Sequence, residues 1–140
     1  MAVYLNMDDA MMKQVLSQAK TIAVVGHSDK PYRTSYQIAQ YLRNANYTVY
    51  PVNPTVDEID GEKSYESLAD IPVPIDIVNV FRRSEYLEGV VYQAVEAGVG
   101  AIWTQLGVDD PNARAIALDA DIHIATDRCI KVEHHRLTYK

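Results

Sequence analysis

The stretch that most constrains this chain is Thr21 to Tyr36, TIAVVGHSDKPYRTSY. Ile22 to Val25 form an unbroken apolar run, which reads as a strand buried on both faces. Gly26 then turns the chain into a polar loop carrying His27, Ser28, Lys30 and Arg33, and a helix begins near Ser35. A strand, a glycine turn and a helix N-terminus in this order make an anion site, because unpaired backbone N–H groups point outward and the helix dipole favours negative charge. The loop holds a single glycine, so the G-x-G-x-x-G dinucleotide fingerprint is absent.

The rest of the chain alternates helical and extended signals. Asn6 or Asp8 is placed to cap a first helix through Ala19, with Met11, Val15, Leu16 and Ala19 near one face. Ile38, Ala39 and Leu42 give the Ser35–Asn44 helix an apolar stripe, and Asn44 and Asn46 are candidates to end it, because Asn tolerates left-handed geometry. Thr48 to Val52 reads as the second strand. A polar excursion follows, with a turn at Asp60-Gly61 and a short helix over Glu66–Asp70. Ile75 to Phe81 reads as the third strand, Ser84 caps a helix to Ala97 that Gly98 ends, and Ala101 to Thr104 supplies the fourth strand. A helix from Pro111 or Asn112 to Ala120, a strand at Ile122–Ala125 and a helical turn near Glu133–Leu137 complete the pass. Alternating strands and helices predict an α/β, Rossmann-like, doubly wound parallel sheet of five strands with helices on both faces, in the order 3-2-1-4-5. A chain of 140 residues, 48% hydrophobic, without repeats or a linker fits one domain spanning 1–140.

In such a sheet ligands sit beyond the carboxyl ends of the strands, where the strand order reverses. The expected order puts that point between the first and fourth strands. Ser28, Lys30 and Arg33, then Asn53, then Arg82 and Arg83, then Thr104 and Gln105 all fall on that edge. The chain carries a net charge of −6, so a bound anion needs local cations rather than a global field, and nucleic acid and anionic membrane are not expected partners. Guanidinium groups suit phosphate because their forked donors match its oxygens. At the end of the second strand, where an NAD site places an acid for the ribose, this chain has Asn53-Pro54. NAD is disfavoured, while an arginine near a 2′-phosphate keeps open an NADP-dependent oxidoreductase or dinucleotide redox sensor in the same crevice.

Six segments in order, VVGHSDKPYRTSYQIAQYL, YTVYPVNP, GEKSYESLADIP, DIVNVFRRSE, AIWTQLGV and DRCIKVEHHRL, resemble the small stand-alone CoA-binding proteins. That family is related to the CoA-binding domain of the succinyl-CoA synthetase alpha subunit. The resemblance covers about residues 20–137 and implies a Rossmann-type fold binding coenzyme A, or an acyl-CoA, across the carboxyl edge of the sheet. It puts Gly26, His27, Ser28, Lys30, Pro31, Arg33 and Ser35 on the phosphate-facing loop. It puts Asn53 and Pro54 after strand two, Phe81 and Arg82 after strand three, and Trp103, Thr104 and Gln105 at the end of strand four. Asn46 and Asp121 stand where the family often has Gly at helix ends, and Ile130 follows Cys129 where Pro is frequent.

Other residues carry a plain structural reading beside the functional one. His27 either touches a phosphate or fills the turn. Trp103 reads as core before stacking platform, and Cys129 as a small buried hydrophobe before a nucleophile or a partner for the CoA thiol. His134 and His135 cannot face one way, and their spacing matches no zinc pattern, so no metal is expected. No nucleophile elbow, carboxylate pair or Ser/His/Asp set assembles, so no catalytic residue is named. A shared domain does not transfer the synthetase reaction. The first twenty residues hold neither a secretory signal nor a membrane span, which with one cysteine leads to a cytoplasmic expectation. The expected function is non-catalytic CoA or acyl-CoA binding, with protein partners and oligomeric state left open.

Overall fold

The computed structural model describes residues 1–138. In chain order it contains α1 (Asp9–Gln18), β1 (Thr21–Val25), α2 (Thr34–Asn44), β2 (Thr48–Val52), β3 (Glu58–Ile59), β4 (Glu62–Lys63), β5 (Ile77–Val80), α3 (Leu87–Ala97), β6 (Ala101–Thr104), α4 (Pro111–Asp119), β7 (His123–Ala125) and α5 (Ile130–Thr138). The five main strands are parallel and the fold is the α/β Rossmann-like sheet that the sequence predicts. β3 and β4 form a separate antiparallel hairpin. Its two-residue turn, Asp60-Gly61, has positive φ at both positions, the geometry that matches strand twist.

Side-chain alternation builds a core on each face. Ala23 and Val25 of β1, Val78 and Val80 of β5 and Ile102 of β6 pack with Leu87, Val91 and Ala94 of α3 and with Ala113 and Ala117 of α4. Ile22, Val24, Ile77, Ala101 and Trp103 point the other way, against Met12 and Leu16 of α1, Ile38 and Leu42 of α2 and Ile130 of α5. Met12 thus takes the inward place expected of Met11.

The strand order differs from the expected 3-2-1-4-5. It is β2-β1-β5-β6-β7, so the third main strand lies beside the first instead of outside the second. The cause is the face on which the connection after β2 travels. Leu68, Ile71 and Ile75 of that connection pack with α3 and α4, on the face opposite α2. Parallel crossovers are right-handed, so switching faces reverses the direction of travel and carries the chain back past β1.

The element ends follow local chemistry. Asp8 caps α1 by accepting from the Met11 N–H at 3.0 Å, and Asp110 caps α4 ahead of Pro111. Asn46, Gly98 and Asp121 all have positive φ just past a helix. The expected turn near Glu133 is the nine-residue helix α5, and Ser84 opens a 3-10 turn that leads into α3. Both edges of the sheet are covered, since Tyr4 bridges Ile124 and Tyr65 bridges Val52. Among the described residues no helix is long and apolar enough to cross a membrane.

Candidate functional site

The strand order moves the reversal point to the boundary between β1 and β5. The loop after β1 leads to α2 on one face, and the loop after β5 leads to α3 on the other, so the chain parts there. Gly26 sits at this fork. Its φ is +87°, and a Cβ on it would lie 2.5 Å from the Phe81 carbonyl oxygen. Glycine is needed both for the turn and for the close approach of the two strand ends.

A cleft of about 500 Å³ opens beside this fork. Of the sequence candidates, Gly26, Ser28, Lys30, Arg33, Ser35, Asn53 and Phe81 line it, joined by Asp29, Tyr32, Thr34 and Thr55. A narrower recess of about 120 Å³ on the α3 side shares Gly26 and Asn53 and includes Pro54 and Arg82 with Val52 and Val90. A further groove of about 310 Å³, at the edge where the strands begin, is lined by Met11, Gln14, Asp76 and His123 and holds none of the candidates.

The N-terminus of α2 faces the larger cleft, and Arg33 at its cap position makes no side-chain cap bond. Thr34, Ser35 and Tyr36 therefore present backbone N–H groups without a side-chain acceptor among the described residues, at the positive end of an eleven-residue helix. Ser28 N–H donates to Ser35 Oγ at 2.9 Å and Lys30 N–H donates to Ser28 Oγ at 3.0 Å, which fixes the loop against the helix. Lys30 and Arg33 are exposed at the rim, and the Asp29 carboxylate, 3.8 Å from Lys30 Nζ, makes only a loose exposed pair. Arg82 lies 4.5 Å over the Tyr86 ring and Arg33 5.6 Å over Tyr32.

The remaining candidates are spread around the fold. Pro31 is exposed on the loop and its carbonyl accepts from Gln37. Trp103 and Thr104 are fully buried and line neither recess. The Trp103 indole donates to the Arg128 carbonyl at 3.1 Å, and Thr104 bonds Val108 and Asp127. Gln105 is half-buried at the end of β6, outside both recesses. The side chains at the end of the fourth strand thus secure the next loop, since the reversal point lies one strand away.

Asn53 is a bracket. Its amide donates to the His27 carbonyl at 2.9 Å, and its Oδ1 accepts from the Thr55 N–H and hydroxyl. His27 is completely buried and does not line the cleft. Burial pushes its pKa below the ordinary histidine value; Arg43 works the same way, against the Ser28 carbonyl and Asp60. Arg43 and Tyr36 were not singled out by the sequence reading, which followed only the apolar stripe of α2. Their signal was present as a polar row at 36, 40 and 43 on one helix face. Thr55 was also missed, although Asn-x-Thr is a recognisable side-chain turn. Elsewhere, His134 packs against Tyr41 and Tyr47 while His135 is exposed. Among the described residues no group of three or more His, Cys, Asp or Glu is placed to hold a metal ion.

Several known proteins resemble this chain. A family profile described as a CoA binding domain matches residues 20–135. The chain is 43% identical over 129 residues to YneT, an uncharacterised protein of Bacillus subtilis (strain 168), covering 92% of this chain and 96% of that one. The solved structure of a hypothetical protein from Pyrococcus horikoshii OT3 superposes with a TM-score of 0.89 at 36% identity, over 92% of this chain and 91% of the other. An ADP-forming acetate–CoA ligase from Methanocaldococcus jannaschii is 30% identical over 96 residues, but those residues are only 14% of the ligase.

Proposed function

The chain belongs to the CoA binding domain family, and from that premise we propose that it binds coenzyme A or an acyl-CoA without carrying out a reaction on it. In this reading the ligand's diphosphate lies in the cleft between the Gly26 loop and the start of α2, with Lys30 and Arg33 as the nearby cations. The observation that carries it is the uncapped α2 N-terminus opening into the cleft at the reversal point. Arg82 and the recess beside Pro54 give the ligand a second direction in which to extend.

Two features favour binding over catalysis. The Ser28 and Ser35 hydroxyls accept from loop N–H groups, and the nearest imidazole, that of His27, is buried away from the cleft. No imidazole lines the cleft to activate either serine, and the carboxylate that does line it, Asp29, is exposed beside Lys30. The ligase likeness covers one segment of a much longer enzyme, so it supports a shared binding module and not a shared reaction.

Isothermal titration with CoA, acetyl-CoA and NADPH tests the proposal. Saturable heat with the CoA compounds and none with NADPH is expected. Comparable heat with NADPH, or none with CoA, would move the reading to a dinucleotide enzyme or discard it. Native mass spectrometry of the protein as purified reads the ligand directly, as the mass of retained CoA, acyl-CoA or a mixed disulfide at Cys129.

A further inference from the structure

The phosphate-facing loop has almost no regular structure, yet the carbonyls at its start are tied down by side chains. The His27 carbonyl accepts from Asn53, whose amide orientation is set by Thr55 on its other side. The Ser28 carbonyl lies 2.8 Å from Nδ1 of the His27 ring. Nε2 of the same ring lies 3.2 Å from Nη2 of Arg43, and Nη1 of Arg43 donates to Gln40 at 2.7 Å.

The partners decide which nitrogen holds the proton. A guanidinium only donates, so Nε2 must accept, and a neutral imidazole must then carry its proton on Nδ1. That proton points at the Ser28 carbonyl, which only accepts. A protonated ring would set its own N–H against the Arg43 N–H. The charged and titratable groups around the ring are Arg43 and Tyr36 of α2 and Asp60 of the hairpin, with Glu62 of β4 beside Arg43. Tyr36 donates to Asp60 at 2.5 Å, so the acid nearest the ring is already engaged.

We propose that His27 is a positioning residue for the anion cleft: Arg43 fixes its Nδ1–H tautomer, and the ring holds the Ser28 carbonyl inward, so that the N–H of the same peptide unit, that of Asp29, turns the opposite way toward a bound phosphate. The inference rests on the CoA reading and adds to it a part played by two residues, neither of which lines the cleft. A carbonyl released toward the cleft would present a partial negative charge to an anionic ligand. The ring prevents this from beneath, leaving the open face of the loop to the ligand.

The tautomer is read by nitrogen-15 NMR of the His27 ring near pH 7, with a protonated Nδ1 and a pyridine-type Nε2 expected. A protonated Nε2, in either the other tautomer or an imidazolium, overturns the proposal. Titration with CoA gives the second arm. His27→Phe should weaken binding about tenfold, the size expected for losing one loop-fixing hydrogen bond. Arg43→Met should weaken it several-fold, and His27→Asn, which keeps a donor near the place of Nδ1, should recover most of the loss. Dephospho-CoA supplies the pH readout because its diphosphate does not titrate near neutrality. Wild-type affinity should fall on acidification once the pH drops below the lowered pKa of the buried ring, while His27→Asn stays level. Variants that remain folded by circular dichroism and bind within about twofold of wild type, or a flat wild-type pH profile, defeat the positioning role and leave CoA binding standing. A wild-type protein that takes up no CoA defeats the CoA reading itself, a result visible before any variant is made.

Discussion

Gly26 is held by two constraints at once. Its backbone is left-handed and the Phe81 carbonyl occupies the space a side chain would need. Gly26→Ala combines a positive-φ penalty with a backbone clash, and should cost about 2–4 kcal/mol in urea unfolding. A loss near that for an ordinary surface glycine would mean that the two strand ends part easily. Asn53 is constrained by polarity instead of space. Asn53→Asp replaces the donor to the His27 carbonyl with a carboxylate oxygen, and should destabilise the chain by about 1–3 kcal/mol. Position 53 was legible as an uncharged residue where an NAD site carries an acid. Its bracketing role was not, because the partner is twenty-six residues earlier and is a backbone atom.

At the scale of elements, α1 and α4 begin with side-chain caps and α2 does not. The backbone at Arg33, φ −81° and ψ 144°, is already that of a cap residue. Arg33→Ser should therefore stabilise the ligand-free protein by about 0.5–1 kcal/mol while weakening CoA binding and flattening its salt dependence. Thermal shift and calorimetry should move in opposite directions; a gain in both would show that the bare N-terminus has no part in binding. Helix and strand positions were largely legible because apolar spacing and caps act within a few residues. The tail was not: α5 has only a short apolar signal, and its Arg136 is held by Asp9 and Glu133, the former at the far end of the chain.

For the whole molecule, Asp76 ties the start of β5 to the start of β1. One carboxylate oxygen lies within hydrogen-bonding distance of the Lys20 N–H, the Thr21 N–H and the Thr21 hydroxyl. Burial works to raise its pKa, but these hydrogen bonds outweigh it and hold the group below the ordinary carboxylate value. A depressed acid stabilises the fold fully above its unfolded pKa of about 3.9, and that contribution is lost as pH falls through the folded value. Asp76→Ala should cost about 1–3 kcal/mol at neutral pH, and the gap from wild type should close in acid. A gap that persists unchanged below about pH 3 would show that the charge is not what joins the strands.

The sequence by itself determined the α/β class, the parallel strands, most helix ends and the loop from Gly26 to Ser35, all set by spacing and by chemistry within about a dozen residues. Only the tertiary structure decided which face the connection after β2 would cover. Leu68, Ile71 and Ile75 are apolar enough for either core, and nothing local records which one they join. That one choice fixed the strand order, put the reversal point between Gly26 and Phe81, and left Trp103 and Thr104 in the core. The bond between Asn53 and His27 does not depend on that choice, because β1 and β2 are neighbours in either order; it needs only the pairing of those two strands, which no local signal in the sequence records.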